Sequence, residues 1–144
     1  MRSSDFFAAL PDATRAKLPK RLQAFKVNKR SWLVQLYYAH PLLHYEVWYF
    51  GDRRNSIEIG LHFESRDAAE NDQLLHGFQS HLFEVKAELG ESIEAEAWDK
   101  GWTKVYELFP REPFTPEYVG RVASRLARII EVMQPIFEDV YRGR

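Results

Sequence analysis

Three runs between residues 31 and 64 constrain the fold more than any other feature. "SWLVQLYYA" (31–39), "HYEVWYF" (44–50) and "SIEIGLHFE" (56–64) are rich in β-branched and aromatic residues, and only "HPLL" and "GDRRN" separate them. Links this short cannot carry a crossover, so the three predicted strands must run antiparallel as a meander. The third run alternates most cleanly. Ile57, Ile59, Leu61 and Phe63 share one face, and Glu58, Gly60, His62 and Glu64 share the other.

The rest of the chain supplies cover for the apolar face. From residue 65 to 90 the period changes to that of a helix, with Leu74, Leu75, Phe78, Leu82, Val85 and Leu89 in phase. Ser65 is the expected cap of this helix and Gly90 its expected end. Alternation returns at "SIEAEAW" (92–98), "DKG" turns the chain, and "WTKVYELF" (102–109) runs back as a hairpin. Thr115, Pro116 and Glu117 open a last helix whose stripe includes Val119, Val122, Leu126, Ile130, Met133 and Phe137, and Pro135 should kink it. At the start, "SSD" opens a helix that Pro11 should end; Asp12 then caps a second piece, which Pro19 interrupts.

The expected order is α-βββ-α-ββ-α. Residues 1–144 are expected to form a single α+β domain, a two-layer sandwich in which helices cover one face of a five-stranded antiparallel sheet. The buried centre should hold Leu74, Phe78, Leu82, Leu126, Ile130 and Met133 against the Ile57/Ile59/Leu61/Phe63 face. A chain of 144 residues can bury such a core without staples. There is no cysteine, which removes disulfides, thiolate metal sites and cysteine nucleophiles. No apolar run has the length of a signal peptide or a membrane span, so the expected location is the cytoplasm and no membrane partner is expected.

The run from Ile57 through "HFE" to a helix ending in "VKAELGESIEAEAW" resembles a bacterial domain of unknown function. In longer proteins that domain can follow a nuclease-like domain. The paired Phe6 and Phe7 in the first helix, the "ELG" helix end and the long last helix extend the resemblance over most of the chain. The resemblance implies no catalytic residue. Since no nuclease-like domain is present, it also implies no nuclease activity.

No P-loop, GxGxxG, HExxH, GxSxG or EF-hand loop is present. Candidate chemistry therefore gathers on the second face of the sheet. His62 and Glu64 lie two residues apart on it, and His44, Glu46 and Trp48 join them if the preceding strand turns the same way. A metal would need such a third convergent ligand from His44, Glu46 or Glu58. Lys104, at alternate spacing from Trp102 and Tyr106, could neutralise a glutamate across the hairpin. Our expectation is the plainer one, with no metal, no cofactor and no catalytic residue. The face would be the wet, less covered side of a sheet, partly shielded by aromatic side chains or by a partner subunit, with Trp48 lying over Gly60. A binding or protein-interaction module follows, with Tyr37, His44, Glu46, Trp48, Glu58, His62, Glu64, Trp98 and Trp102 contacting a protein partner or a second copy. The alternative is a small-ligand-binding protein or small enzyme with its site around His62 and Glu64.

Charge is distributed unevenly. Residues 1–30 hold eight Lys and Arg against two acids, whereas residues 55–99 hold eleven acids against two bases. The basic end, through Arg15, Lys17, Lys20 and Arg21, is a third and outlying candidate, for nucleic acid.

Overall fold

The computed structural model describes residues 1–51 and 55–143. Its sheet is antiparallel throughout and has the strand order β1-β2-β3-β4-β6-β5. The strands are β1 (Lys26–Lys29), β2 (Leu33–Tyr37), β3 (Leu43–Tyr49), β4 (Ser56–Phe63), β5 (Glu94–Ala97) and β6 (Thr103–Pro110). The helices are α1 (Ser3–Arg15), α2 (Ala68–Gln79), α3 (Leu82–Leu89) and α4 (Pro116–Gly143), with one 3₁₀ turn at Lys20–Leu22. The α+β class and the antiparallel sheet match the sequence reading. Part of the "GDRRN" turn, residues 52–54, lies outside the described residues.

Four details correct the sequence reading. The sheet has six strands rather than five. The extra edge strand, "KVNK", has only one apolar side chain and no pattern of its own. It forms because β2 offers it a full set of pairings, from Lys26↔Tyr37 to Lys29↔Val34. Next, the expected helix over 65–90 is two helices. The break falls at Ser80 and His81, where the Ser80 hydroxyl donates to the Gly77 carbonyl and the phase resets. Third, Pro11 lies inside α1 instead of ending it. An interior proline costs about 3 kcal/mol; here the fully buried Phe6, Phe7 and Leu10, in an aromatic cluster with Phe114 and Tyr118, outweigh it. Last, the caps move. Asp67, not Ser65, accepts the Ala69 amide at the start of α2, and α1 begins after Arg2 with no side-chain cap. Thr115 does cap α4 through the Tyr118 amide, and Gly90 ends α3 at a φ of 107°.

All four helices contribute to one apolar cluster with Val34, Leu36, Tyr45, Val47, Ile57, Ile59, Leu61, Phe63 and Val105 of the strands. Five of the six expected core residues are buried there. Leu82 is only half-buried, because the break before α3 gives its innermost positions to Val85 and Leu89. The helix side also holds a charged pair. Glu107 on β6 accepts two bonds from Arg125 of α4, at 2.5 and 2.8 Å, and one from the Ser92 hydroxyl; Arg125 also donates to the carbonyl of Leu89. That fork fixes α4 and the end of α3 against the sheet. Among the described residues no helix is long and apolar enough to cross a membrane.

Candidate functional site

Register places the chemistry. His44 pairs directly with His62, Glu46 with Gly60, and Trp48 with Glu58. On the other flank of β4, Lys104 pairs with His62 and Tyr106 with Gly60. The two short sequences "HYE" (44–46) and "HFE" (62–64) thus run in opposite directions past one another, and all four polar side chains meet on the face away from the helices.

This face is not wet. His62 is 0% exposed, His44 and Glu58 are each 1%, Glu46 is 5% and Lys104 is 8%. The expectation of a mostly solvated side is corrected: the partial aromatic shielding that was expected is a roof that closes over the cluster. Trp98, from the turn after β5, sets its ring edge-on to His62 at 5.7 Å and contacts Trp102 at 5.5 Å and Trp48 at 6.2 Å. The Lys104 ammonium lies 4.7 Å from the Trp98 ring and 4.1 Å from that of Tyr106, so cation–π attraction helps hold the roof down. Among the described residues, the hydrogen-bond and ring partners of the cluster come from strands and loops, not helices.

Gly60 makes the central contact possible. Its neighbours Glu58 and His62 are four residues apart on one strand, about 13 Å between Cα atoms. Their side chains nevertheless meet, with His62 Nε2 2.6 Å from Glu58 Oε2. They reach across Gly60, where no side chain intervenes. The residue that presses on Gly60 is Tyr106 of β6, not the expected Trp48. An added Cβ would fall 2.5 Å from the Tyr106 Cβ and 2.6 Å from the Val105 carbonyl oxygen.

The remaining bonds arrange the donors around one point. Lys104 Nζ donates to Glu58 Oε1 at 2.5 Å, instead of neutralising a glutamate of β5. His44 Nδ1 lies 2.8 Å from the Pro41 carbonyl, which can only accept, so this nitrogen carries a proton. His44 Nε2 then faces Glu46 Oε1 at 3.2 Å and Glu64 Oε1 at 3.7 Å. His62 Nδ1 faces Glu64 Oε2 at 3.0 Å and Glu46 Oε2 at 3.9 Å. Gln35 Nε2 donates to Glu46 at 2.9 Å and orients it.

Protonation follows from this crowding. Burial alone would lower the His62 pKa, but its bonds to Glu58 and Glu64 and the charges of Glu46 and Glu58 raise it to about 9. Burial alone would raise that of Glu46. The His44 hydrogen bond, the charges of His62 and His44 and the Gln35 hydrogen bond instead bring it down to about 2. With His62 protonated, three carboxylates (Glu46, Glu58, Glu64) against its imidazolium and the Lys104 ammonium leave one negative charge, and a doubly charged guest that displaced the His62 proton would close the balance.

The other sequence candidates are placed as follows. Trp48 and Trp98 are half-buried over the cluster, and Trp102 is half-buried beside Trp98 with the Lys100 ammonium 5.3 Å from its ring. Tyr37 is half-buried at the end of β2. Arg15 lies over the Phe25 ring and donates to Asp12 and the Gln23 carbonyl, while Lys17, Lys20 and Arg21 are exposed in the connection between α1 and β1. Sequence reasoning missed Gln35 and the Pro41 carbonyl. Neither carries a signal, since each acts only through register and loop geometry. The repeated His-aromatic-Glu triplet in neighbouring strands was the available signal for the cluster itself. Arg54 of the "GDRRN" link lies outside the described residues.

Compared with family models, with curated proteins and with solved structures, the chain matches none.

Proposed function

We propose that this is a binding domain whose ligand is a small cationic group, received by the second face of the sheet over His44, Glu46, Glu58, His62 and Glu64. One observation carries the reading: a buried ionic cluster with more negative than positive charge. Burying ions costs several kcal/mol each, and well-packed apolar residues commonly give equal or greater stability. Stability alone is therefore a poor reason for a sheet to carry two buried carboxylates and a third at their edge on one face. A positive guest is a better one. The setting suits it, because Trp98 and Trp48 present aromatic rings above the acids.

A protein partner on the same face is the second reading, favoured by Leu108. It projects from β6 beside Glu58 and is 54% exposed. A lysine or arginine of that partner would then be the cationic group.

The test is an NMR titration of the labelled chain with zinc ions, methylammonium and guanidinium at millimolar concentration, and with chloride and phosphate salts as controls. At least one cation should shift the Trp98 indole signal and the amides of residues 44–64. If no cation moves those signals, or only anions do, the proposal is wrong.

A further inference from the structure

We infer that His44, Glu46, His62 and Glu64 are the four ligands of a divalent first-row metal ion, best matched by zinc, that ties β3 to β4. The inference rests on the cation-binding reading above and specifies its guest.

Donor spacing is the first argument. One ligand atom from each of the four residues can be chosen so that all lie within 4.8 Å of one another. The nitrogen–oxygen separations around the ring of donors are 3.0, 3.2, 3.7 and 3.9 Å. These separations use both oxygens of each carboxylate; a tetrahedral zinc, with bonds of about 2.0–2.1 Å and donor–donor edges of about 3.4 Å, would take one oxygen of each and draw the four donors, already within 4.8 Å, closer together. Each carboxylate turns one oxygen to each imidazole, Glu46 from one flank and Glu64 from the other, which encloses a common centre.

Orientation of the two imidazoles is the second argument and is independent of the first. A metal-ligating histidine normally donates its other ring N–H to a carboxylate or a backbone carbonyl. Both forms occur here. His44 gives Nδ1–H to the Pro41 carbonyl and aims Nε2 at the centre. His62 directs Nε2 at Glu58, itself held by Lys104, and aims Nδ1 at the same centre. Two imidazoles that use opposite nitrogens, each backed by its own acceptor, are set for one guest between them. The metal would take the place of the proton between His62 Nδ1 and Glu64.

The chemistry of the donors selects the ion. Two imidazoles and two carboxylates suit zinc and its first-row neighbours; magnesium and calcium prefer oxygen alone, and soft ions prefer sulfur. A doubly charged ion also balances the two negative charges left by three carboxylates and one lysine. Four protein donors close a tetrahedral shell, which is the pattern of a site that holds structure rather than one that activates water. Glu64 is the least buried of the four, at 14% side-chain exposure, and marks the side of the cluster open to solvent.

The experiment uses the full chain, stripped by a chelator and titrated with Co²⁺ and then Zn²⁺. One equivalent of Co²⁺ should give the visible absorption of a tetrahedral site, and Zn²⁺ should bleach it. Paramagnetic shifts should centre on residues 44, 46, 62 and 64. Glu64→Gln and His44→Gln should each weaken binding at least ~100-fold, and Glu58→Gln, which acts through His62, by about 10- to 100-fold. His76→Ala, on the exposed side of α2, should change nothing. If a variant fails to fold, the paramagnetic map of the unaltered chain still decides. Cobalt shifts centred elsewhere, or an octahedral spectrum indifferent to Glu64→Gln, overturn the inference. No metal uptake, with methylammonium or guanidinium still shifting the Trp98 indole, overturns the metal and leaves the cation reading standing. No response to any cation overturns both, and makes the cluster a structural ion-pair network.

Discussion

The sheet carries buried charge on both of its faces, and the two sites differ in how their charge closes. On the helix side, Glu107 meets one arginine in a two-pronged contact, with a serine hydroxyl and a carbonyl completing the set. One negative charge meets one positive charge, and both belong to the chain. On the other side, three carboxylates share one lysine and two histidines, and neutrality depends on protons or on a guest. The first arrangement is a clamp between secondary-structure elements. On the proposed reading the second responds to what is bound, because a guest would change its balance. Burial is similar at the two sites, so what separates them is how their charge closes.

Four measurements would break or sharpen that contrast. The largest effect is expected at the clamp. Arg125→Met leaves Glu107 buried and unpaired and should cost about 3–5 kcal/mol in denaturant unfolding, the same with and without zinc. A loss below about 1 kcal/mol, or one that zinc reverses, would mean that the two sites are alike. Next is Gly60→Ala. Its Cβ would press on the Tyr106 Cβ and the Val105 carbonyl and block the reach of His62 to Glu58. Overpacking of this kind costs about 1–3 kcal/mol. The His62 signal should also lose its high titration midpoint; an unchanged midpoint would show that Gly60 is not what permits the contact.

The third measurement is pH dependence in metal-free buffer. The folded pKa of His62, about 9, lies above its ordinary 6.5, so the stability it contributes is complete below 6.5 and lost as pH rises through 9. That of Glu46, about 2, lies below its ordinary 4.5, so its contribution is complete above 4.5 and lost as pH falls through 2. Stability should be flat between those limits and decline outside them, by at most about 1.4 kcal/mol per pH unit for each proton. His62→Gln should remove the alkaline slope, and a slope that persists would assign it to another group. The smallest effect belongs to a pair on neither site. Arg128 and Glu88 join α4 to α3 at 2.6 Å but are 45% and 58% exposed. Glu88→Ala should change the unfolding free energy by about 0–1 kcal/mol, and a larger loss would show that exposure does not discount ion pairs here.

The local pattern in the sequence determined the elements wherever it was strong. Alternation over 56–64 marked β4 to within a residue, the short links forced an antiparallel meander, and Thr115-Pro116 located the start of α4. It even showed which residues share a face, since a strand's period of two leaves no choice once one face is apolar. It failed where an element lives on its neighbours' strength. β1 has one apolar residue and is held by pairing, and Pro11 stays helical because Phe6, Phe7 and Leu10 before it, Pro11 itself and Thr14 after it are all buried.

The character of the second face was also beyond it. Sequence shows that Glu58, His62 and Glu64 are polar and aligned, and polar aligned residues on an antiparallel sheet usually meet water. Whether they do depends on side chains far away in the chain. Trp98, Lys104 and Tyr106 arrive from the last hairpin, 36 to 44 residues beyond His62, and only the placement of β6 against β4 brings them over the acids. Periodicity is a property of one segment, and desolvation a property of everything packed around it. Sequence could therefore name the four donors but could not make them a site. That step belongs to the tertiary structure, which removes the water, leaves the charge unbalanced and aims two imidazole nitrogens at one point.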